Sequence, residues 1–264
     1  MKKISLFLIT SISFLLSNAQ ERPFARTFAS TILHKGHVTI ELLHTSRFGH
    51  ADEGTFHAMD QYLEIETGVA NRLQASFNLS RFQTNSNHLD NPQHQSNEIG
   101  YGTEWKWRIN SYDKRTGLAA FGGFGLKGSM LALESRFIID RTFGKNLLAF
   151  NAGYEYELEM RKEEEELHHK KLPLEFDLAY MHHFSHSFGA GIELVDCNDM
   201  ANGHWNNSVL FAGPTINYRT EHWFIVANYL PQLANLHQTH DYPAKRVLTD
   251  HEKSEARVIV GFSF

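Results

Sequence analysis

Histidine and carboxylate side chains are the first residues here whose types could do chemistry. The 264-residue chain carries 17 histidines. His50, His57, His88, His94, His168, His169, His204, His237, His240 and His251 fall in segments that read as connections, with Asp52, Glu53, Asp90, Asp241, Asp250 and Glu252 close by in sequence. Imidazole together with carboxylate suits zinc, copper or nickel. The tightest groupings are His168-His169 and His237-Gln238-Thr239-His240. Neither has the strict spacing of a ligand set, so solvated surface histidines are the simpler reading and no cofactor is implied. His183-Phe184-Ser185 has a spacing in which an imidazole activates a hydroxyl as general base, yet it sits in a short turn. The single cysteine, Cys197, excludes a disulfide framework and has no neighbour that would make it a nucleophile. A net charge of -5 leaves no basic stripe for nucleic acid.

The elements that must position these residues are strands. Runs of about ten residues alternate apolar with polar, and turn residues separate them. From Asn146 to Met160, Leu148, Phe150, Ala152, Tyr154, Tyr156, Leu158 and Met160 share one face, while Asn151, Gly153, Glu155, Glu157 and Glu159 share the other. Ile99 to Asn110 and Leu172 to Tyr180 repeat the pattern. Weaker runs fall near His37–Thr45, Asp60–Gly68, Arg72–Arg81, Gly117–Lys127, Leu131–Arg141, Phe188–Asp196, Ser208–Tyr218, Trp223–Leu230 and Ser254–Phe264. Phe121 and Phe124, separated by Gly122 and Gly123, break the alternation and predict a bulge or corner.

Connections alternate in length. Those near Val69–Asn71, Ser111–Thr116, Thr142–Lys145, His183–Ser187 and Arg219–His222 are short. Those near Arg47–Met59, Phe82–Asn97, Arg161–Lys171, Cys197–Asn207 and Pro231–Lys253 are long, and Gly128–Met130 is the short exception among them. Short turns on one side and long loops on the other are what a barrel crossing an outer membrane requires; a secreted β-sandwich gives no reason for such sorting. The expected fold is all-β, an up-and-down antiparallel transmembrane β-barrel of about twelve strands. Mean hydropathy of -0.38 is compatible with it, because lipid-facing residues alternate with polar ones.

The front of the chain fits export. Met1-Lys2-Lys3 is basic, Ile4 to Leu16 is apolar and too short to span a bilayer, and Ser17-Asn18-Ala19 offers a cleavage site. The expected organisation is a signal peptide over residues 1–19, an N-terminal periplasmic segment over 20–35, and the barrel over 36–264. Residues 21 to 35 are read either as a periplasmic tether or as a plug folded into the lumen.

If the apolar face meets lipid, the other face lines the barrel with Glu41, Glu64, Glu66, Glu104, Glu134, Asp140, Glu155, Glu157, Glu175, Asp177 and Glu193, against Lys106, Arg108, Arg136 and Arg257. Such a lining attracts cations. The expectation is a channel for passive, cation-preferring diffusion of small hydrophilic solutes, without covalent chemistry. The competing reading has the arginines pairing with carboxylates in a packed interior. Two further readings are metal binding or uptake through the histidine-rich outer loops and a lipid-modifying barrel enzyme.

Two stretches carry family resemblances. Ala256, Val258, Val260, Phe262 and Phe264 share one face of the last strand, which ends on an aromatic residue. It resembles the closing strand of bacterial outer-membrane β-barrels, whose terminal aromatic is the family's assembly signal. That resemblance implies outer-membrane lipids as surroundings, the barrel-assembly machinery as a partner reading Phe264, and a Gram-negative outer membrane as location. Glu64-Ile65-Glu66-Thr67-Gly68-Val69-Ala70-Asn71-Arg72-Leu73 is similar to a hairpin of small porin-like outer-membrane proteins, including those grouped as phenol-degradation-pathway transporters. Gly68 there predicts a positive φ in a tight turn. The His-x-Ser pair has the spacing found in outer-membrane phospholipases and lipid A deacylases, but residue 186 is His where those families carry Asn.

Overall fold

The computed structural model describes residues 22–50, 53–88, 91–111, 115–159, 169–201 and 204–264. The expected signal peptide lies outside them. Twelve strands follow one another: β1 (Val38–Phe48), β2 (Glu53–Ala70), β3 (Leu73–His88), β4 (Asn91–Arg108), β5 (Thr116–Lys127), β6 (Met130–Phe143), β7 (Asn146–Glu159), β8 (His169–His183), β9 (Phe188–Ala201), β10 (His204–Arg219), β11 (Trp223–Asn235) and β12 (Ser254–Ser263). Each pairs antiparallel with its sequence neighbours. The barrel closes between β1 and β12, in a register that runs from Thr39↔Ser263 to Phe48↔Ser254. Closure leaves no strand edge facing lipid, where each unpaired backbone group would cost several kcal/mol.

The alternation sorts the side chains as the sequence predicts. Leu42, Phe77, Ile99, Tyr101, Trp105, Trp107, Ile192 and Ile216 are large apolar residues exposed on the outside. Glu41, Glu64, Glu66, Lys106, Asp177 and Glu193 are buried inside. Tyr218 and Trp223 pack with ring centroids 5.5 Å apart beside the short β10–β11 turn, as an aromatic belt at the periplasmic interface would.

Three expectations change. Among the described residues, the outer loops predicted near Arg47–Met59, Phe82–Asn97 and Cys197–Asn207 are largely strand, because the ladders continue through Phe56↔Ser86, Thr84↔Ser96 and Ser208↔Asn198. Paired backbone remains satisfied in water as in lipid, so polar composition alone does not end a strand. No bulge occurs at Gly122-Gly123: the β4–β5 register runs unbroken through Trp105↔Gly122 and Glu104↔Gly123. Phe121 simply faces inward while Phe124 faces out. Gly68 is not among the positive-φ glycines, which in the described residues are Gly36, Gly49, Gly128 and Gly144. What demands glycine at 68 is proximity, since a Cβ there would lie 2.1 Å from the carbonyl oxygen of His34.

Candidate functional site: the filled lumen

Residues 22–35 run inside the barrel, the second of the two positions that the sequence allows. The segment leaves β1 at its periplasmic end, where Gly36 N donates to the Gly68 carbonyl. It crosses near Gln74, whose Oε1 accepts from Leu33 N at 2.8 Å, and near Asp140, which accepts from Ser30 N. Phe28 exchanges two bonds with Asn151: its N–H donates to Oδ1 at 2.7 Å and its carbonyl accepts from Nδ2 at 2.9 Å. Glu193 then accepts from Ala25 N, Arg26 N and Thr27 N at 3.1, 2.8 and 2.8 Å. Asn217 Nδ2 donates to the Arg22 carbonyl at 2.6 Å. An irregular backbone in a protein interior must find side-chain partners, and the wall supplies them.

Apolar seats complete the fit. Phe24 packs on Leu147, Ala149, Ala179 and Met181, and Ala25 on Leu43, Phe224, Val226 and Ile259. Phe28 packs on Ala119, Phe121 and Ile138, its ring centroid 5.1 Å from that of Phe121. These wall residues face the lumen, where a water-filled pore would carry polar groups. Burying a phenylalanine side chain contributes roughly 1.5–3 kcal/mol. Sequence reasoning missed the seats, although one of their members, Phe121, shows as a break in alternation.

The predicted lining residues separate into clusters. Glu41, Glu64, Glu66, Glu104 and Lys106 line the β1–β4 wall, and Arg22 forms an ion pair with Glu41. On the β6–β8 wall Arg136 binds Glu134 at 2.8 Å, Glu175 at 2.9 Å and Asp177 at 2.5 Å. Arg26 binds Glu175 at 2.5 Å and Glu255 at 3.7 Å, and Arg257 lies 3.5 Å from Glu255. Arg47 pairs with Asp60. Arg108 donates to Ser30 Oγ at 3.3 Å, which joins it to the Asp140 contact. Glu155 faces Glu134 across the β6–β7 pair, and Glu157 lies one pleat further out. Arg47, Asp60 and Glu255 also belong to this interior and were not singled out from sequence as lining residues.

Among the described residues, two cavities of about 10 and 20 Å³ lie between Phe28 and the β2–β4 wall, room for about one water each. At the outer mouth the 236–253 loop folds inward on the β9–β12 side. Val247 is 3% exposed and joins Val195, Val209, Phe211 and Leu230, while Gln232 Nε2 donates to the carbonyls of Val247 and Glu252, each at 3.0 Å.

Among the described side chains, the metal candidates His237 and His240 join no group of three potential ligands. His168 lies outside the described residues, and only the backbone of His169 is described. His237 stacks on Trp205 at 4.0 Å. His240 is exposed, 3.4 Å from Asp241. The Ser185 hydroxyl accepts from Ser187 N and Phe188 N at 3.2 and 3.0 Å, the geometry of a capped turn. Cys197 Sγ lies 3.9 Å from Glu175 Oε2 inside the barrel.

Solved structures share this architecture. The translocator domain of the autotransporter NalP from Neisseria meningitidis superposes with a TM-score of 0.61 and 12% identity, covering 88% of this chain and 90% of that one. The COG4313 outer-membrane channel from Pseudomonas putida F1 gives 0.59 and 9%, covering 89% and 97%. A KdgM porin in complex with disordered oligogalacturonate gives 0.53 and 12%, covering 86% and 99%. At such identities the likeness establishes the fold alone, that of a small up-and-down β-barrel of porin-like form. No curated protein matches the sequence. The model of one protein family matches residues 16–264, and the chain belongs to that family, described as Family of unknown function (DUF6662).

Proposed function

We propose that this barrel is an outer-membrane channel for small hydrophilic solutes, preferring cations, whose lumen residues 22–35 close. The observation that carries the reading is the pair of guanidinium groups taken up by the acidic wall: Arg22 on Glu41, and Arg26 on Glu175 and Glu255. A lining that binds two cations of its own chain repels anions and concentrates cations once that segment withdraws. The channel architecture of the structural neighbours supports the same reading. Nothing in it calls for covalent chemistry.

Single-channel conductance across a salt gradient tests it. The mature chain should pass little current, and a variant lacking residues 22–35 should pass steady, cation-selective current that weakens on Glu155→Gln and Glu175→Gln. The full chain carrying Phe28→Ser is a second opener, for use where the deletion fails to fold. A folded open variant with no current overturns the channel reading. It would favour a permanently filled barrel, for which the apolar seats under Phe24, Ala25 and Phe28 already argue.

A further inference from the structure

We propose that Glu41, Glu64 and Glu66 form a divalent-cation site in the barrel wall, of calcium type, for which Arg22 competes. Glu41 and Glu64 are direct partners across the β1–β2 pair, and Glu66 lies one pleat nearer the periplasm on the same face. One carboxylate oxygen from each falls within 4.8 Å of the other two, the only such group among the described residues. Like charges placed directly opposite one another across a sheet are destabilising. Buried carboxylates this close need counter-charge.

The protein supplies only part of it. Arg22 pairs with Glu41 through Oε2, leaving Oε1 buried without a hydrogen-bond partner, and Glu66 Oε2 is likewise buried without one. A second observation is independent of the acids. The Ser76 and Thr27 hydroxyls are also buried and unpartnered, in residues 6% and 2% exposed. Ser76 lines one of the small cavities and Thr27 the other, and Glu66 and Lys106 line both. A cavity the size of a water, bordered by acceptor oxygens that satisfy nothing, is a place for an ion or its bound water.

Charge balance points the same way. Glu41, Glu66 and Glu104, with Glu64 opposite Glu41 in the β1–β2 pair, face Arg22 and Lys106 in this corner of the lumen. Two basic side chains stand against four carboxyl groups, so this corner offers a cation more oxygen donors than the chain's own cations occupy. An all-oxygen donor set selects calcium, magnesium or manganese over zinc or copper. Three carboxylates with two hydroxyls beside them suit calcium, which takes about six to eight oxygen ligands, better than magnesium, which keeps several of its waters. Because Arg22 holds Glu41, bound cation and seated N-terminal segment draw on the same carboxylate.

Calcium titration calorimetry on the refolded, chelator-treated mature chain tests this, with folding checked by heat-modifiable mobility. One Ca²⁺ per chain is expected, bound at least tenfold more weakly in Glu64→Gln and Glu66→Gln and more tightly in Arg22→Gln. Binding seen only in Arg22→Gln, and lost again when Glu64→Gln is added, equally supports the site. No binding in either the wild type or Arg22→Gln overturns it, as does binding that survives both glutamate substitutions. The titration is read without current, so a silent barrel leaves the site standing, and a conducting barrel that binds no calcium removes only the site.

Discussion

Thr27 and Glu193, 166 residues apart in sequence, are joined by a 2.8 Å hydrogen bond from the Thr27 backbone N–H to Glu193 Oε2. The same carboxylate accepts from Ala25 N and Arg26 N, and also from Asn228 Nδ2 at 3.0 Å. A single buried glutamate thus organises the turn of the inserted segment. Glu193→Ala strands three backbone donors, each costing about 1–3 kcal/mol if it stays buried. Withdrawal of the segment relieves that cost. We expect proteolysis within residues 22–35 to accelerate by at least about tenfold, the factor that 1.4 kcal/mol corresponds to, while the barrel keeps its heat-modifiable mobility. Glu193→Gln, which retains one acceptor oxygen, should fall between. Unchanged cleavage in Glu193→Ala would show that the apolar seats alone hold the segment.

Gly117 tests the insertion by shape rather than charge. A Cβ at this position would stand 1.8 Å from Ser30 Oγ and 2.6 Å from Asp140 Oδ1. Gly117 pairs with Asp140 across β5–β6, and both close contacts are to side-chain oxygens that can turn aside, so Gly117→Ala should leave the barrel folded and displace Ser30 from its bond to Asp140. A spin label at residue 31 is expected to gain mobility in Gly117→Ala relative to the same label in the wild-type background. Equal spectra would place Ser30 elsewhere.

The barrel was legible because period-two alternation and sorted turn lengths are local properties. Asn146 to Met160 shows its two faces without help from any other segment, and β7 covers nearly that span. Occupation of the lumen was not legible, because it depends on which distant segment fills a face. Leu43, Phe224 and Val226 look from sequence like members of irregular strands; only Ala25 lying on them explains their inward direction. Glu175 reads as a pore charge, but its partners Arg26 and Arg136 come from a terminal segment and from another strand. Lining residues follow from parity, whereas their partners follow from three-dimensional closure.

Arg136 holds the largest carboxylate group of the β6–β8 wall, contacting Glu134, Glu175 and Asp177. Its guanidinium also lies 5.2 Å from the Phe28 ring centroid. Asp177 is fully buried, so removing its cation leaves a charge that water does not reach. Breaking a buried pair from one side costs about 3–5 kcal/mol. Arg136→Met should lower the stability of the vesicle-inserted barrel by about that amount in urea unfolding. Adding Asp177→Asn should restore part of the loss, because it deletes the stranded charge. Full additivity of the two substitutions would mean that the pair is not coupled.

At the outer mouth, the Tyr242 hydroxyl donates to Asp250 Oδ2 at 2.5 Å. That hydrogen bond, ahead of burial, pushes the Tyr242 phenol up to about 12. An unfolded tyrosine ionises near pH 10, so the folded loop binds this proton more tightly than the unfolded chain does. The contribution is complete below about pH 10 and is lost as pH rises through about 12. We expect ultraviolet titration to show one phenolate transition near pH 12 that disappears in Tyr242→Phe and moves down toward 10 in Asp250→Asn. Trypsin cleavage after Lys245 or Arg246 should be faster in both variants at pH 8, where the wild-type loop keeps its clasp. A transition that Asp250→Asn leaves in place would remove this contact from the forces that hold the loop over the mouth.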